Sequence, residues 1–229
     1  MTIALHPDFR QQRFRIGREQ SPLVVIDNLV ADPEELVNQA TTKQFGDVPN
    51  FFPGVRAKVP LTYQQFILEK LRGIFAEVFD YASGAVRFTG CHYSLITTPP
   101  AKLGYSQRIP HVDSVVNKEL AFIHYLFKAD LGGTAFYRHR KTGFEYIDFD
   151  RRPEYLRCIE EESLGPHYPP AEYINGDTPL YEQISAQDGV FNRTLIYRRN
   201  SLHSGSLARD FVPDLNPRTG RLSINAFLA

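Results

Sequence analysis

Near residue 85 the hydrophobic period of this chain changes from helical to extended, and that change limits what it can fold into. Before it, Phe66, Ile67, Leu71, Ile74, Phe75, Val78, Phe79 and Ala82 recur at three- and four-residue steps behind Thr62-Tyr-Gln-Gln65. The spacing predicts one amphipathic helix opened by a capping box, its aromatic stripe packed on a sheet. After it, 86–97, 120–127 and 133–138 read as strands, and 144–149, 190–197 and 221–228 also look extended. Only 150–163 turns helical again, and 164–186 is loop-like, rich in Pro and Tyr. Upstream, 22–27 reads as a strand. A helix follows to about Lys43, capped by Asp32, with Pro33 in its first position and Glu34 and Glu35 at the positive end of its dipole. A polar loop spans Gly46 to Pro60.

Long connections rather than two-residue turns predict a mainly β fold, with a closed or sandwiched antiparallel sheet buttressed by N-terminal helices. The 12 Tyr and 17 Phe suit such a core. The length of 229 residues predicts a single domain. Residues 1–85 would supply an N-terminal strand and helices, and 86–229 the β core with an insertion around 150–186.

A formal net charge of zero argues against nucleic acid or an anionic membrane as the main partner. No apolar run approaches the ~18 residues of a membrane span. Residues 1–17 carry Arg10, Arg13 and Arg15 and lack the apolar core of a signal peptide. Cys91 and Cys158 are the only cysteines, too few for a disulfide framework, so a reducing cytoplasm is the expected location.

The chemistry centres on Arg108-Ile-Pro-His111-Val-Asp113-Ser114. On an extended backbone, residues two apart share a face, so His111 and Asp113 can close on one metal ion. His203 follows the apolar strand ending at Tyr197, and Arg221 and Ser223 share a face of the last strand. Two imidazoles and one carboxylate suit Fe(II) with open positions. A buried Arg suits a carboxylate through its planar fork. Singly, each residue has a plainer reading: a hydrogen-bonded loop, a satisfied strand-end histidine, a surface ion pair. The order of the four and their flanking strands favour the metal.

With these residues the sequence resembles the Fe(II)- and 2-oxoglutarate-dependent oxygenases of the prolyl-hydroxylase-like branch. That family is built on a double-stranded β-helix, a cupin-like jelly roll. The likeness runs from about Leu23 to the C-terminus. It includes Tyr125-Leu-Phe127 with the Gly132-Gly133 turn, and Tyr93 on the strand before the His-x-Asp loop. The resemblance implies that His111, Asp113 and His203 ligate iron, and that Arg221 and Ser223 bind the distal carboxylate of 2-oxoglutarate. Tyr125 and Tyr93 would belong to the same pocket. It implies oxidation of a C–H bond by Fe(II), 2-oxoglutarate and O2, with an amino acid, peptidyl residue or small metabolite as substrate. The 92 positions from His111 to His203 are long for the family, which marks 150–186 as a lid-like insertion.

Two other readings are a cupin-like sensor binding a metal or ligand without turnover, and a metal-dependent isomerase or lyase of cupin type. Arg221 with Ser223 inside the barrel mouth separates them from the oxygenase. A homodimer stays open. Of the other histidines, His92 and His124 are read as facing away from the site, and His139 and His167 as able to touch substrate. Cys158 is read as core. Arg138, Arg140 and Lys141 are read as a solvated strand end that could greet an anionic substrate, and 105–108 as lining the substrate entrance.

Overall fold

A computed structural model of the protein describes residues 3–47, 52–82 and 85–229. Its first strand, β1 (Arg10–Ile16), is polar and lies along the exposed edge of β2 (Ser21–Asp27). Sequence periodicity does not reveal β1, because every residue of this edge strand before Ile16 is exposed and so carries no alternation. Helix α1 (Pro33–Thr41) starts as expected, with the Asp32 carboxylate accepting from the Glu35 N–H at 3.2 Å.

The segment read as a loop from Gly46 to Pro60 holds two short strands, β3 (Gly46–Asp47) and β4 (Gly54–Lys58); residues 48–51 of it lie outside the described residues. The single long helix expected next is two, α2 (Leu61–Lys70) and α3 (Arg72–Phe79). Pro60 rather than a capping box opens α2, and its start at Leu61 leaves Thr62 inside the first turn. The break falls at Leu71, which is fully buried, and re-aims α3 so that Ile74, Phe75 and Phe79 still meet the sheet.

The β region contains β5 (Phe88–Ile96), β6 (Leu120–Tyr125) and β7 (Gly133–His139), then α4 (Arg152–Ser163). It closes with β8 (Tyr181–Asp188), β9 (Thr194–Arg198), β10 (His203–Ser206) and β11 (Leu222–Leu228). Strand β8 occupies part of the expected loop; a register shift in its pairing with β7 and its many polar residues hide its period. Residues 144–149 form no full strand, only a bridge from Tyr146 to Ser201.

All pairings are antiparallel, and the fold is mainly β. A large sheet runs β1-β2-β9-β6-β11-β5-β4-β3, and a small one β10-β7-β8. Alternation divides the large sheet's side chains between two cores. Val24, Ile26, Phe122, Ile196, Ile224 and Tyr93 pack with the helices on one side. Leu23, Val25, Tyr125, Leu195 and Tyr197 meet Phe136 of the small sheet on the other. The candidate site lies between the sheets. Among the described residues, no helix is long and apolar enough to cross a membrane.

Candidate active site

His111 lies on an extended segment beside β10. Its N–H donates to the His203 carbonyl at 2.9 Å, and the His203 N–H donates back at 3.0 Å. Asp113, two residues on, is held from both sides by Arg199. The Asp113 N–H donates to the Arg199 carbonyl at 2.9 Å, and Arg199 Nη2 donates to the Asp113 carbonyl at 2.9 Å. Arg199 is itself fixed by Glu119 at 2.7 Å and lies 4.3 Å from the Phe227 ring centre.

The ligand atoms of His111, Asp113 and His203 all lie within 4.8 Å of one another, a group able to hold a metal ion. Nε2 of His111 is 3.9 Å from Asp113 Oδ1, and Nε2 of His203 is 3.5 Å from Oδ2. Neither is a good hydrogen bond, and both fit groups turned toward a shared ion. His203 Nδ1 donates to the Ser201 carbonyl at 2.9 Å, which leaves its Nε2 lone pair bare. The His111 imidazole pKa is pushed down to about 4, by removal from water first, then by His203 and Arg56, with Asp113 opposing. Half of the His111 side chain is exposed, but it opens into a cavity. A neutral imidazole is the form that binds a metal, so the residues present fit one.

The cavity encloses roughly 510 Å³, the size of a small-molecule site. Arg221 lines it and is 5% exposed. Its Nε donates to the Leu131 carbonyl at 2.9 Å and its Nη2 to the Gly133 carbonyl at 2.6 Å. The turn carrying those carbonyls needs Gly132, which has φ +75° and where a Cβ would strike the Ser206 carbonyl. Among the described residues no carboxylate pairs with Arg221, and burial pulls its pKa down. A buried cation without an acid is costly, and an anionic ligand would relieve that cost.

Ser223 also lines the cavity and donates to Asn225 Oδ1 at 2.7 Å. Tyr125 stands behind the wall: its hydroxyl shares a 2.7 Å hydrogen bond with Thr134, which does line it. Tyr93 is a correction. It is 0% exposed in the core shared with the helices, on the sheet face away from the cavity. Strand parity puts His92 and Ser94 on the cavity side instead, so the sequence reading of β5 has its faces reversed. His124 does face away, as expected.

The remaining candidates separate clearly. Ser106 and Gln107 line the cavity, whereas Arg108 is tied to the Leu103 carbonyl and His167 lines a second recess of about 280 Å³. His139 is a satisfied core residue between Thr142 and Glu162. Arg138 is not solvated: it is buried against Glu145 and Glu182. Arg140 pairs with Asp177 and Lys141 with Glu161. Cys158 is buried. Missed altogether are Arg199 and Arg56, which carry no motif.

The sequence profile described as a family of unknown function, DUF6445, matches residues 7–228. The chain belongs to the DUF6445 family. No curated protein matches this DUF6445 chain in sequence. Among solved structures, HygX from Streptomyces hygroscopicus with nickel, 2-oxoglutarate and hygromycin B bound is similar over 93% of this chain and 87% of its own, at 12% identity and a TM-score of 0.50. HygX with nickel and 2-oxoglutarate bound gives 0.51 at 11% identity over the same shares. A novel N-substituted L-amino acid dioxygenase from Burkholderia ambifaria AMMD is similar at 10% identity and a TM-score of 0.47, over 96% of this chain and 94% of that one. The DUF6445 chain thus shares a fold with HygX.

Proposed function

We propose that the protein is a non-haem Fe(II)- and 2-oxoglutarate-dependent dioxygenase on a double-stranded β-helix core, of the prolyl-hydroxylase-like branch. His111, Asp113 and His203 hold the metal. The Arg221 guanidinium takes the distal carboxylate of 2-oxoglutarate, with Ser223 beside it and Thr134, braced by Tyr125, at the wall. Iron bound there, with 2-oxoglutarate and O2, supplies the oxidising power for hydroxylating a C–H bond. The chain's own residues position the reactants, exclude water and keep two imidazoles and a carboxylate facing one point. The substrate is an amino acid, a peptidyl residue or a small metabolite, in the cytoplasm, with no nucleic acid or membrane involved.

The observation that carries this reading is Arg221. A buried guanidinium with no acid partner among the described residues opens on the same cavity as the His-Asp-His cluster. The fold shared with HygX supports it.

The test is spectroscopic. Under anaerobic conditions Fe(II) plus 2-oxoglutarate is expected to give a weak visible charge-transfer band. The band is expected to vanish in His111→Ala and weaken strongly in Arg221→Ala. No band in intact protein with iron shown to be bound would refute the oxoacid assignment and leave a cupin-like metal- or ligand-binding sensor.

A further inference from the structure

Arg221 shares the cavity with a second guanidinium that has no acid partner among the described residues. Arg56, on β4, reaches the same space. Strand register places it: Arg56 pairs with Ser94 of β5, Ser94 with Ser223 of β11, and Ser223 with Tyr125 of β6. Side chains in such a row point to one face of the sheet. Arg56 therefore stands two strands from Ser223, about 10 Å along the cavity floor at ordinary strand spacing. That is clear of the niche where Arg221 is tied to the Leu131 and Gly133 carbonyls.

Its guanidinium carbon lies 4.2 Å from the centre of the Phe52 ring, which covers one face of the plane. Its Nε is buried with no hydrogen-bond acceptor among the described residues. Asp113 is near enough to favour its charge but is turned to the two imidazoles. Buried donors without acceptors are uncommon and costly. A guanidinium stacked on one face, with its edge open to a cavity, matches a planar two-oxygen anion. Among the described residues, no lysine lines this cavity to share a more highly charged phosphate.

We propose that Arg56 is a substrate-recognition residue that grips a carboxylate of the primary substrate, so that the enzyme acts on carboxylic acids. This rests on the oxygenase reading, in which Arg221 is committed to the co-substrate. The carboxylate held at Arg56 fixes which carbon faces His111, Asp113 and His203. Phe52, Ile96, Ile109 and Phe227 give the carbon skeleton an apolar wall.

The experiment is calorimetry on the Ni(II) protein saturated with 2-oxoglutarate. The probes are matched pairs of carboxylic acids and their primary amides, alkyl and aryl, with and without an α-amino group. At least one acid is expected to bind, with its amide about ten-fold weaker or worse. Arg56→Gln is expected to erase that preference while 2-oxoglutarate affinity stays within about three-fold, and Arg56→Lys to recover part of the acid binding. The proposal is overturned if no acid binds, if amides bind as well as acids, or if Arg56→Gln loses 2-oxoglutarate instead of the acid. If the intact Ni(II) protein does not bind 2-oxoglutarate, the oxygenase reading fails on its own, and the acid–amide comparison on that protein still decides the role of Arg56.

Discussion

His111 and His203 are joined through their backbones by a reciprocal pair of hydrogen bonds, 2.9 and 3.0 Å, while their rings stand 4.5 Å apart, centre to centre. The distance between the two imidazoles is thus set by strand pairing before any ion arrives. Such a preorganised pair costs little reordering on binding. His111→Ala, His203→Ala and Asp113→Ala are each expected to keep the far-UV circular dichroism of the intact protein. Each is expected to lose Ni(II) affinity by more than about two orders of magnitude, beyond the loss typical of groups behind the ligands. Titration against a competing chelator reads this. Undiminished affinity in His203→Ala would remove His203 from the ligand set.

Arg199 leads to the second prediction. It grips the Asp113 backbone in both directions and is anchored by Glu119. Arg199→Met leaves all three ligands in place but frees the segment that aims Asp113. Ni(II) affinity is expected to fall about 10–100-fold. Glu119→Gln, which loosens Arg199 without removing it, is expected to cost less. Equal affinity in all three proteins would mean that the loop holds Asp113 unaided.

What the sequence revealed follows a physical division. His111, Asp113, His203 and Arg221 were legible because ligand chemistry restricts residue type and strand ends restrict spacing. The strands β5, β6, β7 and β11 were legible because both of their faces are covered. Arg56 was not, since β4 is short and sits in a stretch whose glycine and prolines read as a loop. Arg199 was not, because a positioning arginine looks like any other until its partners are known. The side on which Tyr93 points is not legible, because a motif match cannot fix strand parity, which depends on the helices that cover one face.

Arg221 predicts a ligand-dependent change in stability. Any ligand that binds only the folded state raises Tm, by roughly 5 °C or more for a chain of this size at about 100 times its Kd. In the Ni(II) protein, 2-oxoglutarate is expected to do so. In Arg221→Met its affinity is expected to fall about 100-fold or more, as for loss of one partner from a buried charge-assisted pair. The shift at the same concentration should then nearly vanish. Ser223→Ala is expected to do much less, because the Ser223 hydroxyl already donates to Asn225. A thermal shift retained in Arg221→Met would place the co-substrate elsewhere in the cavity.

His124, on the helix-facing side of β6, predicts how the fold responds to acid. It is fully buried. Its ring stacks on Tyr63 at 6.1 Å, and its Nδ1 accepts from the Tyr63 hydroxyl at 2.9 Å. Its Nε2 donates to Asn192 Oδ1 at 3.1 Å, and Asn192 is tied to Val30 through both its amide nitrogen and oxygen. One donor and one acceptor describe a neutral imidazole. Burial pushes its pKa down to about 4, with the Asn192 contact opposing. The unfolded chain therefore takes up a proton near the ordinary value of 6.5, and the folded chain only near 4. Between those values the unfolded state holds more protons, so stability rises with pH and is lost as pH falls. Urea unfolding is expected to show up to roughly 3 kcal/mol lost from this residue between about pH 7 and pH 4. His111, also depressed to about 4, acts in the same direction in metal-free protein. His124→Gln cannot take up that proton, so its stability is expected to fall less steeply with acid, whatever its stability at neutral pH. Matching slopes for the two proteins would assign the acid sensitivity to other groups.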